Sequence, residues 1–242
     1  MITPAGSTEF NGNGSGAGTL SYDFNFDIGT LVDGLLVVPL GIIAGAERNI
    51  ADLTWNGVSL GTPAVAVVRE FTTSFYHQLY IYYKANPANG ANTLTLSFDT
   101  IGIGITEQYS LLPSWWEGAR QSSVKDQHNS AFGTTDPSVN ITPTQDDELI
   151  VDYYISEANS VLTKGAEQTL LQEHDFGPRV VGSSYVIQSS LALQTMSWTG
   201  LDDIWDQVVA SFKVASASPP GQTPPASRYE YANSVNAVNI WE

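Results

Sequence analysis

Hydrophobic and polar residues alternate with a period of two along most of the chain, which is the pattern of β-strands with one buried face. The clearest case is residues 76–98, whose second half, residues 94–98, alternates large apolar residues with threonine and serine. The first half has apolar or aromatic residues on both faces, as expected of a strand covered on both sides. Between them, Pro87 fixes φ and Gly90 tolerates a positive φ, which favours a chain reversal. The segment therefore predicts a β-hairpin.

Similar patterns predict strands along the rest of the chain. The apolar stretch 34–45 is interrupted by Pro39, which indicates a bulge, a bend or an edge position. Asn56-Gly57 is a strong hairpin-turn signal within residues 53–60. Further strands are expected at residues 22–26, 64–71, 138–141, 148–156, 169–173, 183–188, 191–198 and 205–214. Many short strands without a sustained helical period favour an all-β fold, a single antiparallel β-sandwich of jelly-roll type.

The chain divides into four parts by composition. Residues 1–17 are rich in glycine, asparagine and serine and predict a flexible N-terminal arm, and residues 18–215 carry the sandwich. Residues 216–227 are proline-rich and predict an extended linker that reaches on the order of 40 Å. Residues 228–242 regain apolar side chains but are too few for a core, so we expect a C-terminal docking tail, on its own domain or on a neighbouring subunit. The residues expected to make this contact are Tyr229, Tyr231, Ile240 and Trp241.

Charge and cysteine content exclude several classes of function. The 242 residues include 25 acidic and 9 basic side chains, a formal net charge of −16. We therefore expect neither nucleic acid nor an anionic membrane as a partner, because both are bound mainly through lysine and arginine. The absence of cysteine excludes disulfides and thiolate metal sites. The longest apolar run is too short to span a bilayer, and the first residues do not have the pattern of a signal peptide, so we expect a soluble protein.

Catalytic motifs are lacking, and the chain is predicted not to be an enzyme. His77, His128 and His174 lie in separate segments without metal-ligand spacing, and neither a serine-nucleophile elbow nor a phosphate-binding loop occurs. Paired carboxylates of a jelly-roll glycosidase are the main alternative. The candidates are Glu107, Glu117, Asp152 and Glu173. So acidic a chain offers many accidental pairs, which favours solvated surface positions instead.

Calcium is the one cofactor that the acidic segments suggest, because hard cations bind clustered carboxylates. The candidate positions are Asp146–Glu148, Asp202-Asp203, and Asp23 with Asn25 and Asp27. A complete calcium-binding loop is missing, and such residues are more often turn formers. The prediction is therefore a protein without a metal or other cofactor.

Trp115 and Trp116 are the best candidates for recognition. The preceding glycine-rich residues predict a strand followed by a loop whose tip presents the two indoles. Adjacent exposed tryptophans offer a stacking surface for a sugar or an anchor for a protein partner. The alternative is that they close one end of the sandwich.

Four segments together resemble a bacterial and phage β-sandwich domain. They are LTWNGVSL (53–60), YIYYKANPANGANTLTLSF (80–98), SVNITPTQDDELIVDYYIS (138–156) and MSWTGLDDIWDQVVASFKV (196–214), with GAEQTLLQEHD (165–175) fitting the same family. This resemblance implies a jelly-roll, lectin-like module of virion structural and surface adhesion proteins, with no catalytic residues to carry over. The chain departs from the family pattern at residues 101–120.

The sequence as a whole favours a non-enzymatic structural or surface protein of a phage-like particle, such as a capsid-decoration, tail or fibre component. We expect it at the virion surface, bound through its terminal arms to copies of itself and to other virion proteins. The alternative is an extracellular or cell-surface carbohydrate-binding module that binds glycans through Trp115 and Trp116.

Overall fold

The computed structural model describes residues 1–15, 18–72, 75–101, 106–157, 162–200 and 203–215. These residues form nineteen strands. The strands are β1 (Thr3–Ser7), β2 (Phe10–Ser15), β3 (Gly18–Asp27), β4 (Leu35–Ala44), β5 (Ile50–Trp55), β6 (Val58–Ser59), β7 (Val65–Thr72), β8 (Phe75–Ala85), β9 (Ala91–Ile101), β10 (Thr106–Leu111), β11 (Ser114–Glu117), β12 (Lys125–Gly133), β13 (Ser138–Ile141), β14 (Glu148–Ser156), β15 (Thr163–Lys164), β16 (Thr169–Asp175), β17 (Val180–Gln188), β18 (Gln194–Thr199) and β19 (Trp205–Phe212). Within the described ranges, no helix is long and apolar enough to cross a membrane.

The strands form four antiparallel sheets, which we number in stacking order. Sheet 1 has the order β3-β9-β5-β6, sheet 3 the order β12-β19-β14-β17-β16, and sheet 4 the order β13-β18-β15. Sheet 2 is centred on β4, with β8 and β7 on one side. On its other side β11 and β10 lie end to end and are continued by β1 and β2. The predicted all-β antiparallel sandwich is confirmed, and its stack is four sheets deep.

Two strands are buried on both faces and hold the stack together. The side chains of β4 alternate, with Leu36 facing the core between sheets 1 and 2 and Val37 facing the core between sheets 2 and 3. In β14, Val151 faces sheet 2 and Ile150 faces sheet 4. Each residue of both strands is buried, which explains their nearly continuous apolar sequences.

Pro39 lies within the central strand β4, not at an edge or a bulge of the sheet. Its carbonyl accepts a hydrogen bond from the Leu112 N–H at 3.0 Å, at the point where the neighbouring strand changes from β11 to β10. A proline lacks the N–H that a continuous neighbouring strand would require. The sheet therefore tolerates Pro39 at the break between β11 and β10.

The predicted hairpin at residues 76–98 is wrong in its pairing, although both strands and the turn form. Gly90 has φ of 81°, as predicted, and Asn86 also has a positive φ, of 50°. However, β8 pairs within sheet 2 and β9 within sheet 1. The turn thus carries the chain across the core, because the buried faces of the two strands pack against each other instead of lying side by side.

The N-terminal segment is also corrected, since it is extended but not free. Strand β1 pairs with β11 and strand β2 pairs with β10. A Cβ atom at Gly12 would overlap the ring of Tyr109, and one at Gly14 would overlap Glu107 and Tyr22. The glycines that suggested flexibility are therefore required by close packing.

Candidate functional site

The tryptophan pair lies in a strand, which corrects the prediction of an exposed loop tip. Trp115 and Trp116 are the middle residues of β11. Trp116 is completely buried between sheets 2 and 3, where its indole N–H donates to Ser114 Oγ at 3.0 Å. Trp115 faces the opposite way and is half-buried between sheets 1 and 2. Because successive strand residues point to opposite faces, the two indoles cannot form one stacking surface.

The other expected contact residues lie outside the described part of the chain. They are Tyr229, Tyr231, Ile240 and Trp241, and their role in docking stays a prediction. The last described residue before the linker is held to the body, however. The Ala215 N–H donates to the carbonyl of Gly118, one residue beyond the end of β11, at 2.8 Å.

Each of the four candidate carboxylates belongs to a different hydrogen-bond network. Glu117 accepts a hydrogen bond from the Val32 N–H at 3.1 Å. Glu173 accepts one from the Tyr154 hydroxyl at 2.6 Å. Glu107 and Asp152 are completely buried, and they lie in two different cores. Each of the four carboxylates is therefore engaged by different partners within the body.

Glu107 forms a buried ion pair with Arg48 between sheets 1 and 2. Both side chains are 0% exposed, and Arg48 Nη2 contacts Glu107 Oε2. The Tyr22 hydroxyl donates to Glu107 Oε1 at 3.1 Å, and burial together with the Glu107 charge raises the pKa of Tyr22 to about 12. The Gln78 amide bonds the main chain of Arg48, accepting from its N–H at 2.6 Å and donating to its carbonyl at 2.7 Å. These bonds attach the segment that follows β4 to the two strands β8 and β10.

Asp152 occupies the corresponding position between sheets 3 and 4. Its Oδ1 accepts hydrogen bonds from the Ser184 N–H at 2.8 Å and from the Ser184 hydroxyl at 2.7 Å. Its Oδ2 accepts from Trp198 Nε1 and from Gln207 Nε2, each at 2.7 Å. Burial raises the pKa of Asp152 to about 6, although these donors act in the opposite direction. One carboxylate thus joins β14, β17, β18 and β19.

A chain of hydrogen-bonded basic and acidic side chains joins sheets 2 and 3. His77 Nδ1 lies 2.7 Å from Asp206 Oδ2, and His77 Nε2 lies 2.9 Å from Glu157 Oε1. Arg69 binds both oxygens of Asp206, at 2.6 and 2.8 Å, and Arg179 Nε donates to Glu157 at 2.8 Å. Burial opposes the ionisation of Glu157, but His77 and Arg179 hold its pKa below the usual value. His77 is therefore the centre of an interlayer clamp, which its sequence neighbours did not indicate.

The remaining candidate ligands act locally. Asp27 Oδ1 accepts from the Gly29 N–H at 2.7 Å, and Asp203 Oδ1 accepts from the Ile204 N–H at 2.7 Å. Asp23 and Asn25 accept hydrogen bonds from threonine hydroxyls of β9, while Asp202 lies outside the described residues. Within the described ranges, no group of three or more His, Cys, Asp or Glu side chains could hold a metal ion.

Glu148 is a buried carboxyl beside a second, ionised one. It lies at the start of β14, next to Asp126, which forms an ion pair with Lys213 at 2.9 Å. Burial, reinforced by the Asp126 charge, raises the pKa of Glu148 to about 7. Its protonation therefore depends on pH in the neutral range.

We expect the free energy of unfolding to fall as the pH rises from about 4.5 to 7. The folded pKa of Glu148 lies above its unfolded value, so its contribution is complete below about pH 4.5 and is lost as the pH rises through 7. The loss is on the order of 2 kcal/mol. Urea unfolding at a series of pH values, compared between wild type and Glu148→Gln, measures it. A difference between the two proteins that is constant over this range contradicts the assignment.

Five partly exposed aromatic rings line the open side of the sandwich formed by sheets 1 and 2. We call them the aromatic edge. They are Phe10, Tyr22, Phe24, Phe26 and Trp115. The Phe10 and Phe24 ring centroids are 5.0 Å apart, and those of Phe26 and Trp115 are 5.6 Å apart. The row follows β3, which pairs with β9 alone among the described strands, so the other edge of β3 has no strand beside it there.

A depression of about 290 Å³ lies at the C-terminal end of β3. Asn25, Phe26 and Asp27 line it from β3. Ala91, Asn92 and Thr93 line it from β9. Phe26 belongs both to the depression and to the aromatic edge, and together they form a partly apolar surface.

Comparison of the chain with family models, with curated proteins and with solved structures found no match. The β-sandwich fold is established by the structure itself. The resemblance to phage and adhesion modules stays a prediction from the sequence.

Proposed function

We propose that this protein is a non-enzymatic structural or surface subunit of a phage-like particle, such as a capsid-decoration, tail or fibre component at the virion surface. Its partners in this proposal are other copies of the chain and other virion proteins. The sequence resemblance supports this class of protein, and the tethered C-terminal segment supplies a means of attachment.

One observation carries the proposal. The buried polar side chains that catalysis would require are used to fasten the sheets to one another: Arg48 with Glu107 between sheets 1 and 2, His77 with its carboxylates between sheets 2 and 3, and Asp152 between sheets 3 and 4. Buried polar networks that are well bonded rigidify a core. A rigid four-layer body suits a part that bears load and is repeated in an assembly.

Attachment in this proposal depends on the C-terminal segment alone. The N-terminal strands pair with β10 and β11 of the same chain, so they are not available to a neighbouring subunit. The linker of residues 216–227 and the apolar tail of residues 228–242 follow the described body.

We expect the full-length chain to form oligomers that are lost when residues 216–242 are deleted. The tail has too few apolar residues for its own core and gains most by burying them on another surface. Light scattering after size exclusion measures the mass, and thermal unfolding checks that the deletion variant keeps its fold. A full-length chain that is monomeric at high micromolar concentration would refute the proposal.

A carbohydrate-binding module is the second candidate, and the depression beside β3 favours it. Asn25, Asp27, Asn92 and Thr93 provide amide, carboxylate and hydroxyl groups next to the Phe26 ring, which is the chemistry that recognises sugars. A glycan array with the full-length and tail-deleted proteins separates the two functions. Glycan binding that survives deletion of the tail supports the lectin function.

A further inference from the structure

We propose that the free edge of β3 and the adjoining aromatic edge are the docking site for residues 228–242 of a second copy of this chain. The inference rests on the proposed assembly function and names the surface that receives the tail. It predicts that the tail adds to sheet 1 as a further strand, with its aromatic side chains on the aromatic edge and in the depression.

The receiving strand has the length and the pattern that strand addition requires. β3 contains ten residues and is paired on one side by β9. Long edge strands of native proteins are usually shortened, bulged or covered, because their unpaired N–H and C=O groups bind other strands. A strand added here would satisfy these groups. It would also shield the partly exposed rings of Tyr22, Phe24 and Phe26, which recur every second residue.

The tail has a matching pattern. Tyr229 and Tyr231 are separated by one residue, so in an extended strand both side chains lie on one face. Strand addition obtains affinity from main-chain hydrogen bonds and specificity from alternate side chains that enter pockets. The depression beside Phe26 and Ala91 is the pocket of this surface, and aromatic anchors in pockets dominate interface energies.

The position and length of the linker favour a second copy. The described part of the chain ends at Ala215, which is bonded to Gly118. Gly118 is three residues from Trp115 of the aromatic edge. If residues 216–227 adopt the extended conformation that their proline content favours, they span about 37 Å. This is more than the roughly 33 Å length of a ten-residue strand. A spacer of this length is long enough to carry residues 228–242 past the chain's own β3 to the β3 edge of a neighbouring copy.

Complementation between two full-length variants tests the proposal. The tail variant carries Tyr229→Ser and Tyr231→Ser, and the edge variant carries Ala91→Arg, which fills the depression from an exposed position. We expect each variant alone to associate at least about tenfold more weakly than wild type. A mixture of the two should form a 1:1 dimer, because one partner keeps its edge and the other keeps its tail.

Matched variants distinguish the remaining outcomes of this experiment. Ala66→Arg places the same charge at an exposed alanine of β7 and should associate like wild type. Phe24→Ser is a second edge variant and should weaken association as Ala91→Arg does. If both edge variants associate like wild type while the tail variant does not, the docking site is elsewhere, although the assembly function stands.

Two further results overturn the inference. A wild-type chain that is monomeric refutes this docking site together with the assembly function. Glycan binding that Ala91→Arg abolishes, with the oligomeric mass unchanged, assigns the depression to a sugar ligand. Light scattering and a glycan array on the same five proteins distinguish all of these results.

Discussion

Replacing Arg48 with methionine should lower the free energy of unfolding by about 3–5 kcal/mol. Arg48 and Glu107 are both 0% exposed and form an ion pair. Methionine keeps much of the apolar length of the side chain but leaves the Glu107 carboxylate buried without its cation. Burying an uncompensated charge is far more costly than losing an exposed ion pair. Urea unfolding monitored by tryptophan fluorescence measures the effect.

Two controls make this prediction specific to the ion pair. Arg120→Met changes an exposed arginine and should alter stability by no more than about 0.5 kcal/mol. Adding Glu107→Gln to Arg48→Met removes the stranded charge, so the double variant should be more stable than Arg48→Met alone. A cost below about 1 kcal/mol for Arg48→Met, or a double variant that is less stable still, contradicts a structural role for this pair.

The positions of strands could be predicted because they follow from local residue patterns. Residues 94–98 alternate as a strand with one buried face, and they lie in β9. Asn56 and Gly57 have φ of 51° and 71°, which fits the turn predicted between β5 and β6. In each case, the sequence within a few residues decides the conformation.

The assignment of strands to sheets could not be predicted, because it depends on partners that are distant in sequence. The turn at Asn86–Gly90 is compatible with a hairpin and with a crossing between layers. Gly12 of β2 lies in a glycine-rich stretch whose sequence indicates flexibility, although the Tyr109 ring packs directly over it. A glycine-rich sequence therefore predicts disorder only where no other side chain packs against the glycines.

The interlayer clamp around His77 was not predicted, for the same reason. His77 has no sequence neighbour that indicates a charged partner, and it meets Asp206 across 129 positions of sequence and Glu157 across 80. For Trp116 the sequence left open an exposed loop tip and burial at one end of the sandwich, whereas β11 is a short strand between two cores. Long-range burial, which a single sequence does not encode locally, decided both cases.

The substitution Asp152→Asn should destabilise the fold by about 3 kcal/mol, although it hardly changes the volume of the side chain. The Asp152 carboxylate is the acceptor in all four of its side-chain hydrogen bonds. The donors are two groups of Ser184, one of Trp198 and one of Gln207. An asparagine amide presents its own N–H groups to one of these pairs, so two buried bonds are lost and donors face donors. Each unsatisfied buried group costs about 1–3 kcal/mol.

The matched control is Asp146→Asn, the same change at an exposed position in the turn before β14, which should shift stability by no more than about 0.5 kcal/mol. Thermal and urea unfolding at pH 7 measure both variants, and the assigned indole N–H resonance of Trp198 in an NMR spectrum reports its environment. Because Trp198 Nε1 bonds directly to Asp152 Oδ2, its signal should change in Asp152→Asn and stay constant in the control. An Asp152→Asn variant as stable as wild type, with an unchanged Trp198 signal, would show that the carboxylate does not hold sheets 3 and 4 together.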